Sequence, residues 1–385
     1  MRVKWLPIAI ALCPMASEAG QDSPRTTAAV ERHFTSNALD SADAVSDWYT
    51  LLRGSMQHGW QGEDASLKFG TEFQATRFDE ISIEDDRAIA FSAEAWKRLD
   101  ETIELRGTLT YSASSEGDDL QLGPFTLGTR TLKQVFGVQT QVGVDLGNST
   151  ALVIDLASGT ERVGKSRFSG LPIEPAKLDP DRDRIHAGAK VVRTSGTFAY
   201  GAAASATRVK VEPLGFPPVG LSFSEYTLRA EAGWQAPDGT TITGWLGAQT
   251  LRGAFDIFSD TRPAYQLSAV KIFANGVELR GAVFARFETA DSDDPLASWL
   301  KRGEFEIKIP VREKLVFASG AFAEVKENLL LENEERKRGV YAEATYDWTK
   351  QLALIVRLDF SRSLATIVDV RKETLDAFVG LRTRI

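Results

Sequence analysis

Residues 159–166, Gly-Thr-Glu-Arg-Val-Gly-Lys-Ser, have the spacing of a phosphate-binding loop, and Leu152 to Leu156 reads as a strand before them. Such a loop works by handing the phosphate to a helix N-terminus. Here Gly170, Pro172 and Pro175 follow, which do not begin a long helix, so the segment reads as a strand running into a loop. The chain holds three His and one Cys, too few for a multi-His or Cys-based metal site. His33 and His58 lie near the N-terminus. His186 falls between Ile185 and Ala187 on the opposite face of an alternating segment, and no motif places a Ser or Asp beside it. A polar lining role is expected for it, rather than nucleophilic catalysis. The acidic runs Glu84-Asp85-Asp86, Asp179 to Asp183 and Asp291 to Asp294 lack the spacing of a calcium loop and read as solvated loop charge. No enzyme activity, metal or cofactor is expected.

The informative charges occupy every second position. Ile103, Leu105, Leu109 and Tyr111 alternate with Glu104, Arg106, Thr108 and Thr110. The same pattern sets Arg229 and Glu231, Glu278 and Arg280, Arg286 and Glu288, Glu304, Glu306 and Lys308, Arg357 and Asp359, and Arg382 opposite apolar rows. The period of two marks strands, and the apolar–charged contrast runs for 9 to 12 residues at a time. Soluble strands average about 5 to 6 residues, whereas a tilted strand crossing a bilayer needs about 9 to 11. Charge of either sign belongs on the watery side of such a wall, so these residues are expected to line a pore, with mixed signs giving weak ion selectivity.

Connections alternate in length. Leu99-Asp100-Glu101, Asp145-Leu146-Gly147-Asn148, Pro237-Asp238-Gly239, Asn275-Gly276, Arg312-Glu313-Lys314 and Thr349-Lys350-Gln351 read as tight turns. Longer polar stretches lie between them, as at 114–127, 164–182, 212–222, 290–298, 328–337 and 361–372. Short turns at one rim and long loops at the other are the pattern of an all-β transmembrane antiparallel barrel. The count is about 16 strands, from 67–78 to 374–385. A soluble propeller would use shorter strands with a recurring blade signature. Trp234, Tyr346 and Trp348 sit beside tight turns, where amphipathic rings meet lipid headgroups.

The N-terminus reads as an export signal. Arg2 and Lys4 precede the apolar run Trp5 to Ala16, and Ser17-Glu18-Ala19 supplies a cleavage site after residue 19. Leu12 before Cys13 argues against a lipidation site. The whole chain carries −8, which argues against nucleic acid as a partner. Residues 20–66 alternate poorly. Val45, Trp48, Leu51 and Leu52 suggest a short helix after Asp40, Ser41 or Asp43, with a strand through Trp48 to Trp60 as the alternative. The expected organisation is a signal at 1–19, a periplasmic or plug segment at 20–66 and a barrel at 67–385.

From Leu67 onward the chain resembles β-barrel porin families of Gram-negative outer membranes, some of them associated with exopolysaccharide export. The resemblance rests on this architecture and on stretches such as Tyr341-Ala342-Glu343-Ala344-Thr345-Tyr346-Asp347-Trp348, which turns at Thr349-Lys350. The last strand, with Ala377, Val379, Leu381, Thr383 and Ile385 at alternate positions, resembles the recognition strand read by the barrel assembly machinery, although Ile385 stands where an aromatic residue is usual. The resemblance implies an outer-membrane location. It also implies contact with outer-membrane lipid and lipopolysaccharide, passage of small polar solutes or polysaccharide, export partners and self-association. A non-conducting surface or assembly protein with a filled lumen is the alternative.

Overall fold

The computed structural model describes residues 20–39, 44–122, 125–169, 172–214, 222–254, 258–289, 297–329, 333–365 and 370–384. These residues form one antiparallel sheet that closes on itself. Its strands are β1 (Gly20–Thr35), β2 (Asp47–Gln61), β3 (Ala65–Phe78), β4 (Asp86–Arg98), β5 (Ile103–Leu122), β6 (Phe125–Gly147), β7 (Thr150–Val163), β8 (Arg167–Phe168) and β9 (Arg182–Ser195). There follow β10 (Phe198–Val211), β11 (Phe223–Gln235), β12 (Thr240–Gly253), β13 (Ser259–Ile272) and β14 (Glu278–Thr289). The last are β15 (Ala297–Arg312), β16 (Leu315–Asn328), β17 (Asn333–Asp347), β18 (Leu352–Ala365) and β19 (Val370–Arg384). The two-residue β8 pairs only with the outer end of β6, so eighteen strands form the ring among the described residues. β1 pairs with both β2 and β19 and closes it.

Each of the sixteen strands expected from alternation is present. The expected count was low because residues 20–66 are not a separate periplasmic or plug segment. They supply β1, β2 and the start of β3. The helix expected near residues 44–53 is likewise corrected to a strand. Trp48 and Leu52 face outward while Tyr49 and Leu51 are buried on the inner side, so both faces of the outer half of β2 are apolar and the helical spacing there is accidental. The signal segment at 1–19 lies outside the described residues.

Residues directly opposite one another in an antiparallel ladder share a face. The register Leu354↔Leu381, Leu381↔Val30 and Val30↔Leu52 therefore carries one face around the closing seam. That face bears the exposed apolar rows, including Leu228 at 67%, Ile185 at 64% and Leu246 at 64% exposure. No aqueous protein leaves so many large apolar side chains in continuous bands, and hydrocarbon is the solvent that suits them. Tight turns lie at one rim, four of them using a glycine in the left-handed region: Gly147, Gly196, Gly239 and Gly276. The other rim carries the longer connections. By the usual asymmetry the short-turn rim is periplasmic and the long-loop rim external. At the external rim β5 and β6 stay paired out to Leu122↔Phe125 and project as a hairpin. A 3-10 turn at Ser82–Glu84 packs on it, and Gly117 is required there, because a Cβ would lie 1.7 Å from the Ile83 carbonyl oxygen.

Candidate functional site: the inner wall of the barrel

The register places Glu104, Arg106, Arg229, Glu231, Glu278, Arg280, Glu304, Glu306, Lys308, Arg357, Asp359 and Arg382 on the inner face. Arg286 and Glu288 continue that face on β14. An Arg or Lys on the lipid side would cost about 2–4 kcal/mol at the midplane, which is why the alternation is strict through the middle of the strands.

These charges are organised into short ladders. Arg229 Nε donates to Glu231 Oε1 at 2.7 Å, and Lys190 Nζ stands 3.7 Å from Glu231 Oε2. Arg302 bridges Glu304 at 3.0 Å and Glu324 at 3.1 Å. Arg357 reaches Asp359 at 2.7 Å and Glu343 at 3.4 Å. Arg280 pairs with Glu278, and the Tyr341 hydroxyl donates to Glu306. Several guanidinium groups also lie over aromatic rings of the same face. Arg229 is over Trp245 at 5.2 Å, Arg302 over Phe322 at 4.8 Å, Arg286 over Phe284 at 4.8 Å and Arg357 over Tyr341 at 4.2 Å. A stacked, bidentate guanidinium is held flat against its wall. Partners of this kind sit two residues apart on one strand or across the ladder, so spacing predicted the charged face and only the register shows the pairs.

His186 has the neighbours that no motif supplied. Its Nε2 donates to Asp155 Oδ2 at 2.8 Å, which leaves Nδ1 to accept from the Thr207 hydroxyl at 2.8 Å. Gly188 stands opposite Asp155, and a Cβ there would come within 2.6 Å of the carboxylate, so the glycine gives Asp155 its room. The three side chains stitch β7, β9 and β10 together. Thr207 is only 5% exposed, which leaves its hydroxyl little access to a substrate carbonyl. His33 is a core residue, stacked between Tyr49 and Phe378 at 4.5 Å from each, with Nε2 donating to Glu31 at 2.9 Å. His58 lies on the outward face.

One stretch departs from the cylinder. β13 and β14 pair from Ile272↔Glu278 only as far as Tyr265↔Ala285. Beyond that, Ser259 to Ala264 pair with β12 alone and Arg286 to Thr289 with β15 alone. Phe287 and Trp299 carry outward parity yet are 4% and 3% exposed. They pack with Val209, Val211, Phe223, Leu251 and Ala264, which belong to the inner faces of β10 to β13. The Phe287 N–H also donates to the Gln249 side chain at 3.0 Å. The outer end of the β14–β15 hairpin therefore leans into the barrel. Arg262 ties the lean in place, lying over Trp299 and pairing with Glu327 on β16. Pro263 lies in the stretch of β13 paired with β12 alone, where a residue without an N–H suits an edge-like strand.

Trp234 and Tyr346, expected at the membrane interface, face outward near the short-turn rim, Trp234 stacked on Phe198 with centroids 6.3 Å apart, and Trp348 is exposed in the following turn. In the last strand Val379, Leu381 and Thr383 share the outward face, and Ile385 lies outside the described residues. Among the described residues no group of His, Cys, Asp and Glu is arranged to hold a metal ion.

No family model and no curated protein matches the sequence. Solved structures do match. The chain is similar to the copper transporter OprC, with 9% identity, 96% of this chain and 81% of that one covered, and a TM-score of 0.58. It is also similar to the siderophore receptor PiuA from Acinetobacter baumannii, with 9% identity, 96% and 82% coverage and a TM-score of 0.54. At this identity the likeness shows the fold. The chain is an outer-membrane β-barrel. Both of these structures are receptor or transporter barrels, not the porin or polysaccharide-export families named from sequence.

Proposed function

We propose that this protein is a channel for hydrophilic solutes across the outer membrane. The observation that carries the reading is where the inner charges find their partners. Apart from Arg262 with Glu327 at the leaning hairpin, the inner-face ion pairs given above join residues on one strand or on strands at most two apart. Such pairs run along the wall and leave the middle of the barrel free, and a ring of about 16–18 strands encloses a water-filled path. Residues 20–61, expected to be periplasmic or to plug that path, are wall strands instead.

Glu104, Arg106, Arg229, Glu231, Glu278, Arg280, Arg286, Glu288, Glu304, Glu306, Lys308, Arg357, Asp359 and Arg382 are the proposed pore lining. Their paired signs favour neutral polar cargo, such as sugars, over ions of one charge. A polysaccharide strand, with export partners to deliver it, is the larger cargo the same lining suits. Catalysis is not part of this reading. The leaning hairpin favours a second reading, a barrel closed at its external rim.

Proteoliposome swelling separates these readings. Refolded chain in vesicles is expected to admit small neutral sugars and to exclude oligosaccharides above a size limit. Vesicles impermeable to all of them would support the closed barrel.

A further inference from the structure

We infer that the external half of the lipid-facing wall, beside the β13–β14 parting, binds a phosphorylated, acylated lipid of the outer leaflet. Beside the leaning β14–β15 hairpin a groove of about 550 Å³ runs from β13 to β18. Its outward-facing floor and sides are Tyr265, Val283, Ala323 and Val325 with Leu364, an apolar strip on the face that meets hydrocarbon. Along the same groove stand Lys301, Arg336, Arg338 and Arg362, all with outward parity.

Their position decides the chemistry. Lys301 is four residues from the external end of β15, Arg336 and Arg338 open β17, and Arg362 precedes the end of β18 by three. This is the headgroup level of the outer leaflet, where a lipid-side cation is tolerated and phosphate is its natural counter-ion. Nearby carboxylates offset part of the charge. Lys301 pairs with Glu327 at 2.8 Å, Arg336 with Glu334, and Arg362 lies 3.7 Å from Glu373, which Arg371 also holds. Glu327 is shared with Arg262. The four outward-facing groove cations therefore face three carboxylates, two of which are shared with cations outside the groove. The surplus is positive, and it sits beside an acyl-sized apolar strip. A soluble anion would use the cations and not the strip, whereas an acylated phosphate ester uses both. The inference does not depend on what crosses the lumen.

The test is native mass spectrometry of the detergent-solubilised, heat-modifiable barrel with bis-phosphorylated lipid A, its dephosphorylated form, phosphatidylethanolamine, or inorganic phosphate. Retention of bis-phosphorylated lipid A at least tenfold above the dephosphorylated form is expected. Arg336→Gln with Arg338→Gln should remove that preference, and Ala323→Trp, which fills the groove without touching a charge, should weaken retention of both forms. Arg77→Gln with Arg87→Gln, on the distant outward face of β3 and β4, should change nothing. Equal retention of the two lipid A forms, or unchanged retention by folded Arg336→Gln/Arg338→Gln and Ala323→Trp proteins, would overturn the inference. So would displacement of the lipid by inorganic phosphate at millimolar concentration.

Discussion

Where β1 meets β19, nine residue pairs close the barrel, from Thr27↔Arg384 to Thr35↔Asp376. Where β13 meets β14, eight pairs run from Ile272↔Glu278 to Tyr265↔Ala285. Both seams are short, but at opposite ends. The β1–β19 seam is paired through to the external rim and leaves the first residues of β1 to β2 alone. The β13–β14 seam is paired at the periplasmic rim and parts at the external one. Each external end has an apolar cluster inside the barrel, and the parity of its rings decides the outcome. His33, Tyr49, Phe78 and Phe378 come from inner positions and stack over a continuous ladder. Phe287 and Trp299 come from outer positions and are buried only because the strands that carry them turn inward. The same driving force, removal of apolar surface from water, locks one seam and opens the other.

The largest effect should come from the locked seam. Deleting residues 20–35 removes β1 and leaves β2 and β19 with unpaired edges, which a bilayer does not tolerate. No heat-modifiable band should appear on a gel. A folded, more conductive product would instead restore the plug reading of this segment.

At the parted seam, Trp299→Ala should cost about 3–5 kcal/mol, the usual range for emptying a buried aromatic site. The loss should be local. Urea unfolding should show an early transition, and channel current should become larger or noisier as the hairpin leaves the lumen. If the seams behaved alike, Trp299→Ala would lower global stability without altering the current.

Glu31→Gln tests the locked seam more gently. It removes the charged partner of His33 and of Arg53, 3.7 Å away, while keeping the side-chain shape. A loss of about 1–3 kcal/mol is expected for a buried charged hydrogen bond, with the current unchanged.

The smallest effect belongs to the turn before β12, which touches only the paired, periplasmic end of the β13–β14 seam. Lys271, with help from Thr240, holds the Asp238 carboxyl down at about 2. A lowered carboxyl stabilises the fold at pH above its ordinary value near 4, and the contribution is lost as pH falls through about 2. Asp238→Asn should shift the acid end of the unfolding profile slightly and leave the external ends of both seams untouched.

Most of the wall was legible in the sequence because its outward rows are apolar and its inner rows charged. β1 and β2 were hidden for a physical reason. The inner positions His33, Tyr49 and Leu51 are buried near the external rim, so apolar and aromatic residues fall side by side and the period of two is lost. The inward lean was hidden too, since Phe287 and Trp299 alternate correctly for lipid-facing residues. Pro263, just before the strand expected from residue 264, was a local sign of an interrupted ladder. The charged inner face could be listed from spacing alone. Its partners could not, because Asp155 meets His186 and Arg302 meets Glu324 only through strand register.

Single-channel recording of refolded residues 20–385 in a planar bilayer tests the central claim most directly. An open lumen lined by charges paired along its wall predicts discrete conductance steps with a near-zero reversal potential in a salt gradient. A properly folded barrel that stays silent would contradict the channel and assign the leaning hairpin the role of a permanent stopper.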